Sequence, residues 1–277
     1  MVYQLVSERM IKMSKILINI NNFNEIEEYK KIGITNFLFA VNDLSIGYNS
    51  FDIKDIPEDG YLLINRVLDN NGIDLLKSII SEIKKHKGVI FEDVGVYQVL
   101  KDLDIELIWF QNHFGTNYNS INEWNKLVTS CVISNEITSE EISTIVDKSI
   151  KPICINILGR NQIMYSRRTL LSNFNKYNKL DNVNDVTLNT HNNPMKFIVR
   201  ESKYGTVFLS NEYHNYIDFV NTLDQDKIKF KIILNDDLSV DKINSILNGG
   251  YFGNTGFLNQ KTVYRLDDYK DKKWLYE

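Results

Sequence analysis

The sequence predicts an α/β fold, a (β/α)8 barrel of the TIM-barrel-like kind with a hairpin-containing segment inserted between strands seven and eight. Three observations predict it. Eight short apolar runs alternate with amphipathic runs at helical spacing, the pattern of a parallel sheet covered by helices. The chain has 277 residues, close to the roughly 250 that one such barrel uses. One connection, residues 159–228, is far longer than a single crossover helix requires.

The elements follow in order. Residues 15–20 read as a first buried strand, and Ile26, Tyr29 and Gly33 then fall at helical spacing. Residues 36–41 form the second strand. Residues 42–59 contain Gly47 and Pro57 and show no helical period, so an irregular connection is expected there. Residues 61–65 are the third strand, followed by one helical face carrying Ile73, Leu76, Ile79, Ile80 and Ile83. Residues 89–91, 106–110 and 131–133 supply strands four to six. Thr138 and Glu141 have capping-box spacing at the start of the next helix. Residues 153–157 are the seventh strand and 230–234 the eighth. Inside the long connection, residues 196–201 and 206–210 read as a hairpin turned by Lys203, Tyr204 and Gly205. The organisation expected is an N-terminal extension (1–14), a barrel (15–250) with its insert (159–228), and a C-terminal tail (251–277).

Composition narrows the function. A net charge of −4 argues against a protein that coats nucleic acid by charge alone, though not against a basic pocket. No apolar run approaches the ~20 residues of a membrane span, and residues 1–13 lack a signal-peptide core. A cytoplasmic protein with no membrane partner is expected. Of the two cysteines, Cys131 and Cys154, both lie in apolar strand runs and read as small buried hydrophobes. Two thiols cannot supply a four-thiolate metal or iron–sulfur site within one chain, so neither a metal nor a cofactor is expected. No Gly-x-Gly-x-x-Gly follows a strand and no Walker motif occurs.

In a barrel the residues just past each strand reach the mouth. That rule selects Asn19, Asn21, Asn42, Asp43, Asn65, Arg66, Glu92, Asp93, Asn112, His113, Asn135, Glu136 and Arg160. Glu92 and Asp93 are adjacent carboxyls suited to acid–base work, with Asp93 alternatively a helix cap. His113 is a candidate base or phosphate contact. Glu136 is either a mouth carboxyl or a solvent-facing one. Residues 151–180 carry six Lys or Arg and no acid. Within them Arg160, Arg167 and Arg168 suit bidentate binding of carboxylate or phosphate, and Tyr165 could stack on a base or ring. The alternative is a solvated exposed turn. The island is expected to place positive potential over the mouth.

Four segments, in order, resemble the peptidase U32 family of collagenase-like proteins. They are Phe91-Glu92-Asp93-Val94-Gly95-Val96; Ile133 through Ile142; Met164-Tyr165-Ser166-Arg167-Arg168-Thr169-Leu170-Leu171-Ser172; and Glu201 with Gly205-Thr206-Val207-Phe208. The resemblance implies a barrel-like α/β fold and spans about residues 15–247. It implies either collagenase-like peptidase activity on polypeptide or a part in oxygen-independent hydroxylation of RNA or ubiquinone precursors. Asn112 and Asn135, selected by the strand-end rule, are candidate ligand-binding residues beside the arginines, and Glu201, where the related proteins also carry a Glu, is another that could instead pair with an arginine. Hydroxylating members hold an iron–sulfur cluster through four cysteines near and after the third segment. Here Ile163, or a close neighbour, and Thr169 stand at two of those places. The family resemblance therefore implies a cluster-free chain, partnered by a cysteine-bearing U32 paralogue in tRNA uridine hydroxylation. The remaining alternatives are a true peptidase and a non-enzymatic ligand-binding barrel; no nucleophile or zinc site is recognisable.

Overall fold

Strands rich in Ile, Leu, Val and Phe bury both faces, which only a sheet covered on each side allows. The computed structural model describes residues 12–181, 183–189 and 196–260. Its strands in chain order are β1 (Ile16–Asn19), β2 (Asn36–Val41), β3 (Ser50–Phe51), β4 (Tyr61–Ile64), β5 (Gly88–Phe91) and β6 (Glu106–Phe110). Then come β7 (Ser130–Val132), β8 (Ile153–Ser166), β9 (Asp185–Asn189), β10 (Lys196–Ser202), β11 (Gly205–Asn215) and β12 (Ile228–Leu234). The helices are α1 (Glu25–Lys31), α2 (Asn70–Ser78), α3 (Ile80–Ile83), α4 (Val94–Leu100), α5 (Tyr118–Leu127) and α6 (Ser139–Lys148). They continue with α7 (Leu170–Asn178), α8 (Ile217–Val220) and α9 (Val240–Leu247).

Eight strands, β1, β2, β4, β5, β6, β7, β8 and β12, pair in parallel and close the barrel. The closing ladders set Ile18 beside Ile233 and Ile155 beside Lys231. Successive side chains alternate across the wall. Each stave accordingly sends a side chain inward, among them Leu17, Leu38, Leu63, Ile90, Ile108, Val132, Cys154 and Ile232. The intervening residues meet the helices, where Tyr29, Leu76, Leu100, Ile121, Ile142 and Ile243 are buried. Each fully buried aliphatic side chain contributes roughly 1.5–3 kcal/mol.

The connection expected to be irregular holds one short strand, β3, paired in parallel with β2. The insert departs further from expectation. β8 does not end at the barrel rim. It runs unbroken to Ser166, so the basic stretch begins as strand rather than as a loop. Beyond the rim β8 pairs antiparallel with β11, which pairs with β10, and β9 adds a third strand beyond the expected hairpin. Gly205 turns the hairpin at φ +132°, and a Cβ there would lie 2.1 Å from the Ser166 carbonyl oxygen, so only glycine fits.

Much of the expected extension and tail, residues 1–11 and 261–277, lies outside the described residues. Residues 251–260 are tied into the fold. Asn254 exchanges backbone hydrogen bonds with Tyr213 and Asn215, and the Ser139 amide donates to Leu258.

Local signals hold at the helix starts. The Thr138 amide donates to Glu141 Oε2 at 2.8 Å and the Glu141 amide to Thr138 Oγ1 at 3.3 Å. Asp93 accepts from the Gly95 amide at 2.7 Å and caps α4. Thr138→Ala is expected to lower stability by about 1 kcal/mol, read as a shift of the urea midpoint with unchanged slope. An unmoved midpoint would mean that the box contributes nothing.

Candidate functional site

The insert sheet lies over the mouth. Its barrel-facing side chains Val207 and Leu209 pack on Ile46 from the β2–β4 connection, with Tyr165 and Ile198 at their edge. The apolar contact is locked by ions. Arg160 Nε donates to Asp236 Oδ2 at 2.9 Å, and Arg160 Nη2 to Asp237 Oδ2 at 3.1 Å. Arg200, on β10, donates Nη2 to the same Asp236 oxygen at 2.9 Å, Nη1 to its other oxygen, and Nε to Asp185 at 3.1 Å. The Arg160 guanidinium also lies 4.5 Å from the centroid of Tyr213. The Tyr213 hydroxyl donates to Asp237 at 2.8 Å and accepts from the Asp236 and Asp237 amides.

These contacts correct the expected charge at the mouth. Acids distant in sequence answer the island's cations. Arg160 is committed to Asp236 and Asp237, and Arg167 lies 3.5 Å from Asp69. Arg168 makes no ion pair among the described residues. Glu201 pairs with neither arginine. It accepts from the Leu171 amide at 2.7 Å, the Ser172 amide at 3.0 Å and Thr206 Oγ1 at 2.7 Å, and so caps α7. Burial raises its pKa, but bonds from Ser172 and Thr206 outweigh that and hold it below the usual carboxylate range. Tyr165 donates its hydroxyl to the Tyr204 carbonyl at 3.2 Å, which leaves its ring packed rather than free to stack.

The other candidates separate. Asp93 is a cap that also accepts from the Leu68 amide at 2.8 Å. His113 Nδ1 lies 3.1 Å from Glu136 Oε2, both exposed beside the rim, and Asn112 makes no side-chain hydrogen bond among the described residues. Asn135 is buried, its amide 3.0 Å from His214 Nε2, and its carbonyl accepts from the Tyr216 hydroxyl at 2.9 Å. Burial in that knot pushes His214 down to about 4 and keeps it neutral.

Glu92 is different. It directly follows β5, is only 7% exposed, and its carboxyl takes no hydrogen bond from a described residue. Burial pushes it up to about 8, so it holds a proton at neutral pH. Tyr48, packed over the barrel interior, has its hydroxyl pushed up by burial and by the charges of Asp236 and Glu92. Tyr48, Arg200, Asp185, Asp236, Asn21 and Ser202 line a cleft of about 400 Å³ between lid and rim. A carboxylic acid that keeps its proton near pH 7 is equipped for proton transfer or for donating a hydrogen bond to a substrate oxygen. No group of His, Cys, Asp or Glu that could hold a metal occurs among the described residues.

Tyr48, Arg200 and Asp236 were not among the residues singled out in the sequence. Asp236 had a signal. It stands two residues past the end of β12, as Asp43 does past β2, and the same rule selects it. Arg66 satisfied that rule and is buried under the Tyr204 ring at 3.7 Å.

An iron–sulfur cluster does not fit. Ile163 and Thr169 offer no thiolate. Cys131 faces the helices and Cys154 the barrel interior, on opposite sides of the wall. Burial raises both thiols, Cys154 to about 11, which leaves them protonated and unreactive.

The proton on Glu92 has a stability signature. A carboxyl raised from 4.5 to about 8 stabilises the fold fully below about pH 4.5 and loses that contribution as pH climbs through 8. Glu92→Gln, which cannot ionise, is therefore expected to match the parent near pH 4.5 and exceed its stability at pH 9. Parallel denaturation midpoints across that range would place the carboxyl in water.

The solved structures to which this chain is similar include the C-terminal domain of a putative chitinase from Desulfitobacterium hafniense DCB-2, at 10% identity and TM-score 0.38, covering 85% of this chain and 99% of that one. A chitinase from Chromobacterium violaceum ATCC 12472 is similar at 10% identity and TM-score 0.39, covering 84% and 98%. Both are too distant to bear on activity. No curated protein matches the sequence at a significant level. The model of peptidase family U32 matches residues 51–232, a span that runs from β3 into β12 and takes in Glu92, the capping box and the whole lid. With more than half of the chain matched, and with the four resembling segments at the rim and in the lid, this barrel belongs to peptidase family U32.

Proposed function

We propose that this barrel is the cluster-free subunit of a two-chain enzyme, paired with a cysteine-bearing U32 protein in the cytoplasm and acting in prokaryotic tRNA uridine hydroxylation. The observation that carries this reading is the placement of sulfur. The lid segment that bears cluster cysteines in hydroxylating relatives carries Ile163 and Thr169 here, and the two thiols are sealed in the barrel wall. Redox chemistry then belongs to the partner, and this chain binds and orients. Arg168, without an ion-pair partner among the described residues, and the half-exposed Arg167 are the groups available to an RNA phosphate.

Glu92 favours a second reading, collagenase-like cleavage of polypeptide, because a protonated buried carboxyl suits general-acid work. The two readings part in one experiment. Deleting the gene is expected to remove a hydroxylated uridine from bulk tRNA, seen by mass spectrometry of nucleosides, and Glu92→Gln complements if binding is the role. Unchanged nucleosides, with gelatin cleavage by the pure chain that Glu92→Gln abolishes, would establish the peptidase instead.

Two further outcomes are expected. The chain purified anaerobically on its own should be colourless and free of stoichiometric iron; bound iron with visible absorption would overturn the division of labour. Replacing Arg167 and Arg168 with Gln should weaken tRNA binding at low salt by about 1 kcal/mol per lost charge-assisted bond, with the thermal melt unchanged. Identical binding would remove these arginines from the interface.

A further inference from the structure

The face of the lid turned away from the barrel is unlike the rest of the surface. Of fourteen exposed large hydrophobic residues among those described, seven fall between Ile163 and Leu188. On this face Val186 and Val199 stand opposite one another, as do Leu188 and Phe197, with Phe208 on the next strand. Helix α7 covers part of them through the buried Leu171. It leaves a groove of about 480 Å³ walled by Leu170, Phe174, Leu180, Val183, Leu188 and Phe208. Phe174 is 58% exposed, Leu180 57% and Tyr177, one turn along from Phe174, 88%.

The geometry points to this groove as the docking surface for the cysteine-bearing partner, taking an apolar anchor flanked by carboxylates; this rests on the two-chain reading above. The lining identifies the class of occupant. Small-molecule sites place a few polar groups among apolar walls to fix orientation. Among the described residues, Asn175 and Asp181 are the only polar ones in the wall, and Asn175 is buried beneath it. An aromatic-edged apolar groove without orienting groups suits the central anchor of a protein interface.

Charge selects the partner. Lys176 and Lys179, exposed on α7 and at its end, make no ion pair among the described residues and outnumber Asp181. A second copy docking face to face would bring these lysines together. A copy docking through its other, more acidic surface would form a head-to-tail contact that propagates rather than closes. An acidic, apolar surface on a different chain meets neither obstacle.

The test is a binding measurement between the full chain and the cysteine-bearing U32 protein of the same organism, by light scattering and titration calorimetry. Phe174→Asp and Leu180→Asp, both at exposed positions, should each weaken the wild-type affinity roughly thirtyfold while the melting temperature stays unchanged. Lys176→Glu with Lys179→Glu should weaken it less, and more at low salt than at high. Wild-type pairing that ignores all four substitutions overturns this surface and leaves the two-chain reading standing. Failure of the wild-type chains to pair sinks that reading and the surface with it. A homodimer abolished by Phe174→Asp would assign the groove to a second copy. A melting temperature that falls when residues 261–277 are removed, but not in the Phe174→Asp background, would assign it to the chain's own terminus. Either result overturns the proposal.

Discussion

One carboxylate holds the lid to the barrel. Asp236, 8% exposed, stands at the barrel rim between Arg160, where β8 leaves the barrel, and Arg200 on the lid strand, and accepts from both. Removing charges from water is costly, and such a cluster is tolerable only when every group is paired. Here Arg200 also reaches Asp185 and the Gly47 carbonyl, and Arg160 reaches Asp237 and lies over Tyr213. Losing Asp236 alone would leave both guanidinium groups with only the exposed Asp185 and Asp237 as carboxylate partners, a larger penalty than losing one arginine. Tyr48 and Ile46, on which Val207 is seated, line the same cleft as this clamp.

The sequence made the barrel legible because its signal is local. Eight apolar runs, the Thr138–Glu141 box and the Gly205 turn each declare themselves within a few residues, and the structure places them accordingly. The site was less legible because its charges are balanced across distance. Arg160 and Asp236 are 76 residues apart, and Arg200 and Asp236 are 36 apart. An acid-free run in sequence is therefore no guide to an acid-free region in space. Glu201 shows the same limit from the other side. It stands thirty residues beyond the Leu171 amide it accepts from, so nothing local marks it as a cap.

Glu92 and Asp93 show how neighbouring residues of like chemistry diverge. Asp93 turns toward free amides at the start of α4 and stays anchored by them. Glu92 turns into the closed mouth, where no described donor meets it, and keeps its proton. Composition cannot separate the two; the handedness of the step from strand to helix does. The cysteines make the same point through the period of two in a strand. Val132, not Cys131, is the register partner of Cys154, which puts the thiols on opposite sides of one wall.

The continuity of β8 constrains motion as well as shape. A flap joined by a flexible segment can melt or swing while its scaffold stays folded. Here the same fourteen residues are a stave below Gly159 and the inner strand of the lid above it. Opening the mouth by lifting the lid would pull on a strand hydrogen-bonded along the barrel wall. Lid and barrel are thus one cooperative unit, with a common free energy of opening and common protection of their amides. A force applied to the outer face is carried along β8 into the wall that holds Cys154.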